Sequence, residues 1–181
     1  MRSVKSPSRI IWVAMFLAVG LFVAPSLERA AQAAATTERA VSMMDGCESE
    51  SFNAAFGPGT CLRNGGVSLD EFIFQLTKHQ SVGAWHYAGS ASSARVGDTL
   101  VATNRGGEVH TFTEVDDFGG GVIQPLNDLS GNPVPRFECL ALEDDDFVAP
   151  GQKYRETLDS AGTKKFQCCI HPWMRLEAKV Q

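Results

Sequence analysis

The run Phe166 to Met174, FQCCIHPWM, constrains this chain more than any other stretch. A thiol at Cys168, an imidazole at His171 and a thioether at Met174 recur every three residues in it. A second imidazole lies far upstream, His110 in NRGGEVHTF. Two imidazole nitrogens, one thiolate and a weak thioether form a donor set in which soft sulfur favours Cu(I) and imidazole tolerates Cu(II). The pattern therefore predicts one copper, cycling between Cu(I) and Cu(II), held by His110, Cys168, His171 and Met174. Clusters of Cys and His also form zinc sites or are simply buried.

Asn104 to His110 (NRGGEVH), followed by YRETLDSAGTKKFQCCIHPWM, resembles the cupredoxins, most closely the amicyanin and plastocyanin-like branch. Several short strands between turn signals read as an antiparallel β-sandwich, and the resemblance implies an all-β, Greek-key one over residues 84–181. It also implies that Asn104 helps tie the two ligand loops together, and that Asn104 and Pro172 lie next to the ligands and tune the potential. By the same resemblance, the edge of His171 reaches the surface. Trp173 beside it would then add to an apolar patch on which a redox partner docks in a small, transient encounter.

The first residues do not belong to that core. Arg2, Lys5 and Arg9 precede the apolar run Ile10 to Ala24, and Ala31 and Ala33 then offer an A-x-A cleavage site, which predicts a secretory signal peptide over residues 1–33. A retained membrane anchor fits less well, because the apolar run has 15 residues where a span needs about 20. The product is expected to be periplasmic or extracellular, monomeric and without a membrane span. Without its first 33 residues the chain has 12 Lys and Arg against 20 Asp and Glu, a net charge of −8. That balance argues against nucleic acid as a partner and would favour a basic redox partner.

Five cysteines remain: Cys47, Cys61, Cys139, Cys168 and Cys169. In an oxidising compartment four are expected to pair, and copper on Cys168 accounts for the odd one. The other four allow three pairings. Cys47 with Cys61 is favoured, a closure contributing about 3 kcal/mol by loop entropy, which leaves Cys139 with Cys169. On an extended chain Cys169 points away from Cys168, so it can bond elsewhere while its neighbour binds metal.

Residues 34–83 read as an N-terminal extension containing one helix. Ser68 and Glu71 form an S-x-x-E capping box, Leu69, Phe72, Ile73 and Leu76 fall on one face, and the helix should end near Gln80. His79 should face solvent. A first sandwich strand is expected from Ala84, with Trp85 and Tyr87 inward and His86 exposed. Further strands are expected at Thr99 to Thr103 and from His110 in HTFTEV, with Gly106 and Gly107 as a flexible loop between them. Residues 118–151 read as a long irregular connection. Its Asp144 to Asp146 run lacks the spacing of a calcium loop and is taken as a solvated turn. YRETL and KKFQC, joined by the turn at Ser160 to Thr163, should form a hairpin that delivers the ligand loop, with LEAKV as the last strand.

Among function classes, a c-type haem is excluded because Ile170 occupies the place before His171 that C-x-x-C-H reserves for cysteine. A copper enzyme would need a further metal cluster, and only His79 and His86 remain to build one, so no enzymatic activity is expected. The other readings are a copper chaperone or store without electron transfer, and a metal-free domain in which Cys168 is oxidised.

Overall fold

The computed structural model describes residues 36–89 and 93–181, and the expected signal peptide lies outside the described residues. Two four-stranded sheets share one core. The first runs in the order β2 (His86–Gly89), β1 (Glu38–Met44), β4 (Thr99–Asn104), β6 (Lys153–Thr157). The second runs β3 (Ser93–Ala94), β8 (Arg175–Val180), β7 (Gly162–Gln167), β5 (Thr113–Val115). Both sheets are mixed, since β1 lies parallel to β4 and β3 parallel to β8, where an antiparallel sandwich was expected. Val41, Met43, Leu100 and Ala102 of the first sheet pack into one cluster with Phe166, Ala178 and Val180 of the second. Phe112 stacks on Phe166 at 4.6 Å between ring centres and meets Tyr87 edge-on at 5.2 Å. Each such buried ring contributes about 1.5 to 3 kcal/mol by leaving water.

The boundary expected at Ala84 is corrected. β1 comes from the stretch assigned to the extension, yet it lies inside the first sheet, between β2 and β4. Its partners are distant in sequence, and a parallel partner of this kind leaves no hairpin signal beside it. Asp98 fixes the start of the β1–β4 pair. Its carboxylate accepts from the Arg39 Nε at 2.6 Å and from the backbone N–H groups of Thr37 and Arg95 at 3.0 Å. These donors, Arg39 first, hold its pKa down from 3.8 to about 2. A group depressed in this way stabilises the fold above its unfolded pKa, and that contribution is lost as pH falls from 3.8 through about 2. Asp98→Asn should lower the urea midpoint at about pH 6 and narrow its drop between there and about pH 2, as measured by paired denaturation curves.

Two helices lie between β1 and β2. α1 (Ser49–Phe56) had no periodic signal of its own, and α2 (Leu69–His79) is the expected helix. The Ser68 side chain accepts from the Glu71 N–H at 3.3 Å, and Gln80 closes the other end in a left-handed conformation. Phe72 and Leu76 are buried, but Ile73 is 44% exposed, so the buried stripe is narrower than the sequence face suggested. Phe52 of α1 and Phe72 of α2 pack on each other and on Trp85, with ring centres 4.8 to 5.9 Å apart. Phe72 also reaches Trp173, at 5.8 Å. Among the described residues no helix is long and apolar enough to cross a membrane.

Residues 118–151 are less irregular than expected, holding α3 (Gln124–Leu129), α4 (Phe137–Leu140) and a short 3-10 turn at Asp144–Asp146. The β6–β7 hairpin is also corrected. β6 pairs with β4 in the first sheet and β7 pairs with β5 and β8 in the second, so the turn at Ser160 to Thr163 carries the chain from one sheet to the other. Local turn chemistry could not distinguish a hairpin from a change of sheet.

Candidate metal centre

β4 ends at Asn104, and the connection to β5 carries His110, which forms an isolated bridge with Val148. β7 ends at Gln167, and the connection to β8 carries Cys168, His171 and Met174. That second loop is closed by its own backbone, because the Cys168 N–H donates to the Met174 carbonyl at 3.1 Å and the Met174 N–H to the His171 carbonyl at 2.9 Å. The two connections meet. The Cys168 Sγ lies 3.8 Å from the His110 Nδ1 and 3.8 Å from the His171 Nδ1. All three side chains are buried, at 0%, 0% and 3% exposure for His110, Cys168 and His171, and Met174 is fully buried in the same loop.

These separations suit a metal bound to all three atoms. Bonds of about 2.3 Å to sulfur and about 2.05 Å to nitrogen, set at a trigonal angle, put the sulfur and nitrogen about 3.8 Å apart. Cys168 is the one free cysteine among the described residues. The other four form the bridges Cys47–Cys61 and Cys139–Cys169, the pairing favoured from the sequence. Burial alone would raise the Cys168 thiol pKa, but the facing His110 and His171 rings outweigh it and hold the pKa well below 9.0. Such a sulfur is ready as a thiolate ligand. Its remaining partners are the N–H groups of His171 at 3.4 Å and Thr111 at 3.5 Å.

Three residues expected around the ligands are placed as follows, two of them differently from the expectation. First, Asn104 does not join the two ligand loops. Its amide donates to the carbonyls of Glu108 and Val148, at 2.7 Å each, and its Oδ1 accepts from Gly106, so it ties the His110 connection to the strand-like run at Val148. The bond between the ligand loops comes from Thr111, whose hydroxyl accepts from the Cys169 N–H at 2.8 Å. Second, Pro172 follows His171 in the loop and, as a proline, has no N–H to donate to the sulfur. Its carbonyl instead accepts from Arg175 Nε at 2.8 Å. Third, the edge of His171 does not reach the surface. Its ring packs against Trp173 at 5.5 Å and Trp85 at 6.4 Å, and the α1 and α2 aromatics cover both tryptophans. What opens beside it is a cavity of about 330 Å³ lined by Phe52, Phe72, Ile123, Leu126, Glu108 and His171 among others.

Two carboxylates that sequence reasoning missed stand behind the imidazoles. The Asp45 Oδ2, just past β1, lies 2.9 Å from the His110 Nε2 and also accepts from the N–H groups of Gly107 and Glu108 at 2.8 and 3.0 Å. A Cβ at Gly106 would overlap the Asp45 carboxylate, so the Gly-Gly pair makes room for that side chain and is not merely a flexible loop. Glu108 Oε2 accepts from the Trp85 Nε1 at 2.6 Å and lies 3.5 Å from the His171 Nε2. Burial opposes charge on both members of the first pair. Even so, their mutual contact outweighs it, helped at His110 by Cys168 and at Asp45 by the N–H groups of Glu108 and Gly107, raising His110 to about 9 and lowering Asp45 to about 2. Burial pushes the Glu108 carboxyl up. The glycines were the only sequence hint of this arrangement. As expected, His79 and His86 are exposed and take no part.

The sequence matches no family model and no curated protein. Among solved structures, a novel purple cupredoxin from Nitrosopumilus maritimus is 15% identical at a TM-score of 0.44, over 78% of this chain and 98% of that one. Two amicyanin mutants, one in the reduced state and one in its Cu(I) form, are 28% and 25% identical at a TM-score of 0.33. Each match covers 49% of this chain and 67% of the amicyanin chain. Superpositions this loose carry no residue's role across. What the chain itself shows is a pair of four-stranded sheets whose connections bring a buried His–Cys–His group together.

Proposed function

We propose that this chain is an exported type 1 copper protein of the Greek-key cupredoxin kind, carrying one electron at a time between redox partners. His110, Cys168 and His171 would hold the copper, with the Met174 thioether as a weaker fourth donor. The observation that carries this reading is the pair of equal 3.8 Å separations from the Cys168 sulfur to the two Nδ1 atoms, inside a buried site. Copper, when bound, supplies a one-electron couple between Cu(I) and Cu(II). The chain's own residues do the rest. The Cys139–Cys169 bridge anchors the ligand loop at the residue next to Cys168, and Thr111 binds that loop to the His110 connection. A loop anchored at these two points would keep similar ligand positions in both redox states, which keeps reorganisation small. The two disulfides support an oxidising compartment.

With His171 covered, a partner would reach the site through the cavity beside that ring, whose rim includes Phe56, 63% exposed, and Ile123, 40% exposed. A chaperone must bring its ligands within reach of an acceptor, and the burial of all four side chains counts against that role. Cyclic voltammetry of the loaded protein should show one reversible one-electron wave, and an irreversible wave with loss of metal on reduction would reject the carrier reading. Met174→Leu should keep copper bound and raise the potential, because removing a donor disfavours Cu(II). Loss of copper from that variant, as severe as in His110→Ala, would make Met174 a full ligand.

A further inference from the structure

Both imidazoles of the site present Nδ1 to Cys168, and both have a carboxylate behind Nε2. Neither carboxylate belongs to the ligand motif. Asp45 follows β1, in the segment that looked unrelated to the site, and its side chain is 2% exposed. It is held by the N–H groups of Cys47, Gly107 and Glu108, so its position is built into the fold and does not depend on a mobile rotamer. Glu108 is 8% exposed and tethered by Trp85, whose ring also touches that of His171.

A carboxylate facing one imidazole nitrogen fixes that nitrogen as the N–H and leaves the other with its lone pair. It also makes the lone pair a stronger donor, and the effect is greater for the more highly charged metal ion. We infer that Asp45 and Glu108 are positioning residues of the copper site, whose carboxylates fix both ligand imidazoles with Nδ1 toward Cys168 and favour Cu(II) over Cu(I), lowering the reduction potential. The inference rests on the copper reading above. Asp45 should act more strongly, since its contact is 2.9 Å against 3.5 Å for Glu108. The N-terminal stretch is thereby part of the redox site. A chain trimmed to residues 84–181 would lack Asp45.

The test compares wild type, Asp45→Asn and Glu108→Gln, each isosteric and each removing a charge. Asp45→Asn should still bind copper, with Cu(II) affinity lower by about 10- to 100-fold and Cu(I) affinity changed less. Each tenfold difference between the two ions raises the potential by about 59 mV. Glu108→Gln should shift it the same way by less. In wild type loaded with Cu(I), nitrogen NMR should find both rings protonated at Nε2. Unchanged potentials in both variants, a loss of stability without a potential shift, or a His110 ring protonated at Nδ1 would each overturn the proposal. If Asp45→Asn does not fold, Glu108→Gln and the wild-type tautomers decide. Should the wild type fail to take copper, the copper reading fails instead, and the tautomer measurement on the Zn(II)-loaded protein still decides the roles of Asp45 and Glu108.

Discussion

Cys168→Ser should abolish visible colour from the copper-loaded protein and weaken its hold on Cu(I) more than any other single change. The Cys168 sulfur is the one thiolate of the site, and both Nδ1 atoms face it at the same distance. A serine hydroxyl is a hard donor with an ordinary alcohol's reluctance to ionise, so it replaces neither the charge nor the softness that suits Cu(I). The fold should survive, because Cys168 takes no part in either disulfide and its N–H bond to the Met174 carbonyl is backbone. Absorption and circular dichroism on the same sample separate the two effects. A variant that keeps the wild-type band would remove Cys168 from the site.

The second large effect belongs to the other sulfur. Cys139→Ser with Cys169→Ser should cost about 2 to 5 kcal/mol of unfolding free energy while leaving the colour unchanged. The bridge joins α4 to the residue beside the thiolate, with a sequence separation of 30. It also supports a crowded contact, since the Val122 N–H donates to the Cys169 carbonyl at 2.7 Å and a Cβ at Gly121 would overlap that carbonyl. Without the bridge, α4 loses its covalent tie to the ligand loop. The loop keeps its bonds to Thr111 and across to Met174. Denaturation of the copper-loaded variant should therefore start earlier with an unaltered starting spectrum. A new hue at unchanged stability would show that Cys169 binds metal and that the site is a dithiolate centre.

How much of this was legible in the sequence depends on the range of each interaction. The Cys168, His171 and Met174 spacing is local, so the loop and its donors were visible at once. The odd cysteine count then led to both bridges. α2 announced itself by a cap and a face, although Ile73 proved exposed because only part of that face meets the core. β1 was missed as a member of the sheet because its neighbours lie far along the chain and one of them is parallel. The same limit produced the false β6–β7 hairpin, where a good turn joins strands of different sheets. Asp45 and Thr111 are short-range partners in space and distant in sequence from what they hold, and no periodicity marks them. The burial of His171 follows from where α1 and α2 pack, which the resemblance to small cupredoxins could not supply because those helices lie outside the matching stretch.

The most direct test of the copper assignment is a titration of the reduced, metal-free protein with Cu(II), followed by visible absorption and repeated with Zn(II) in competition. One equivalent of Cu(II) should develop an intense thiolate-to-copper band that saturates, and Zn(II) should not displace it readily, since divalent copper outranks zinc at a nitrogen and sulfur site. A protein that stays colourless through the titration, or yields its site to equimolar zinc, would contradict the account.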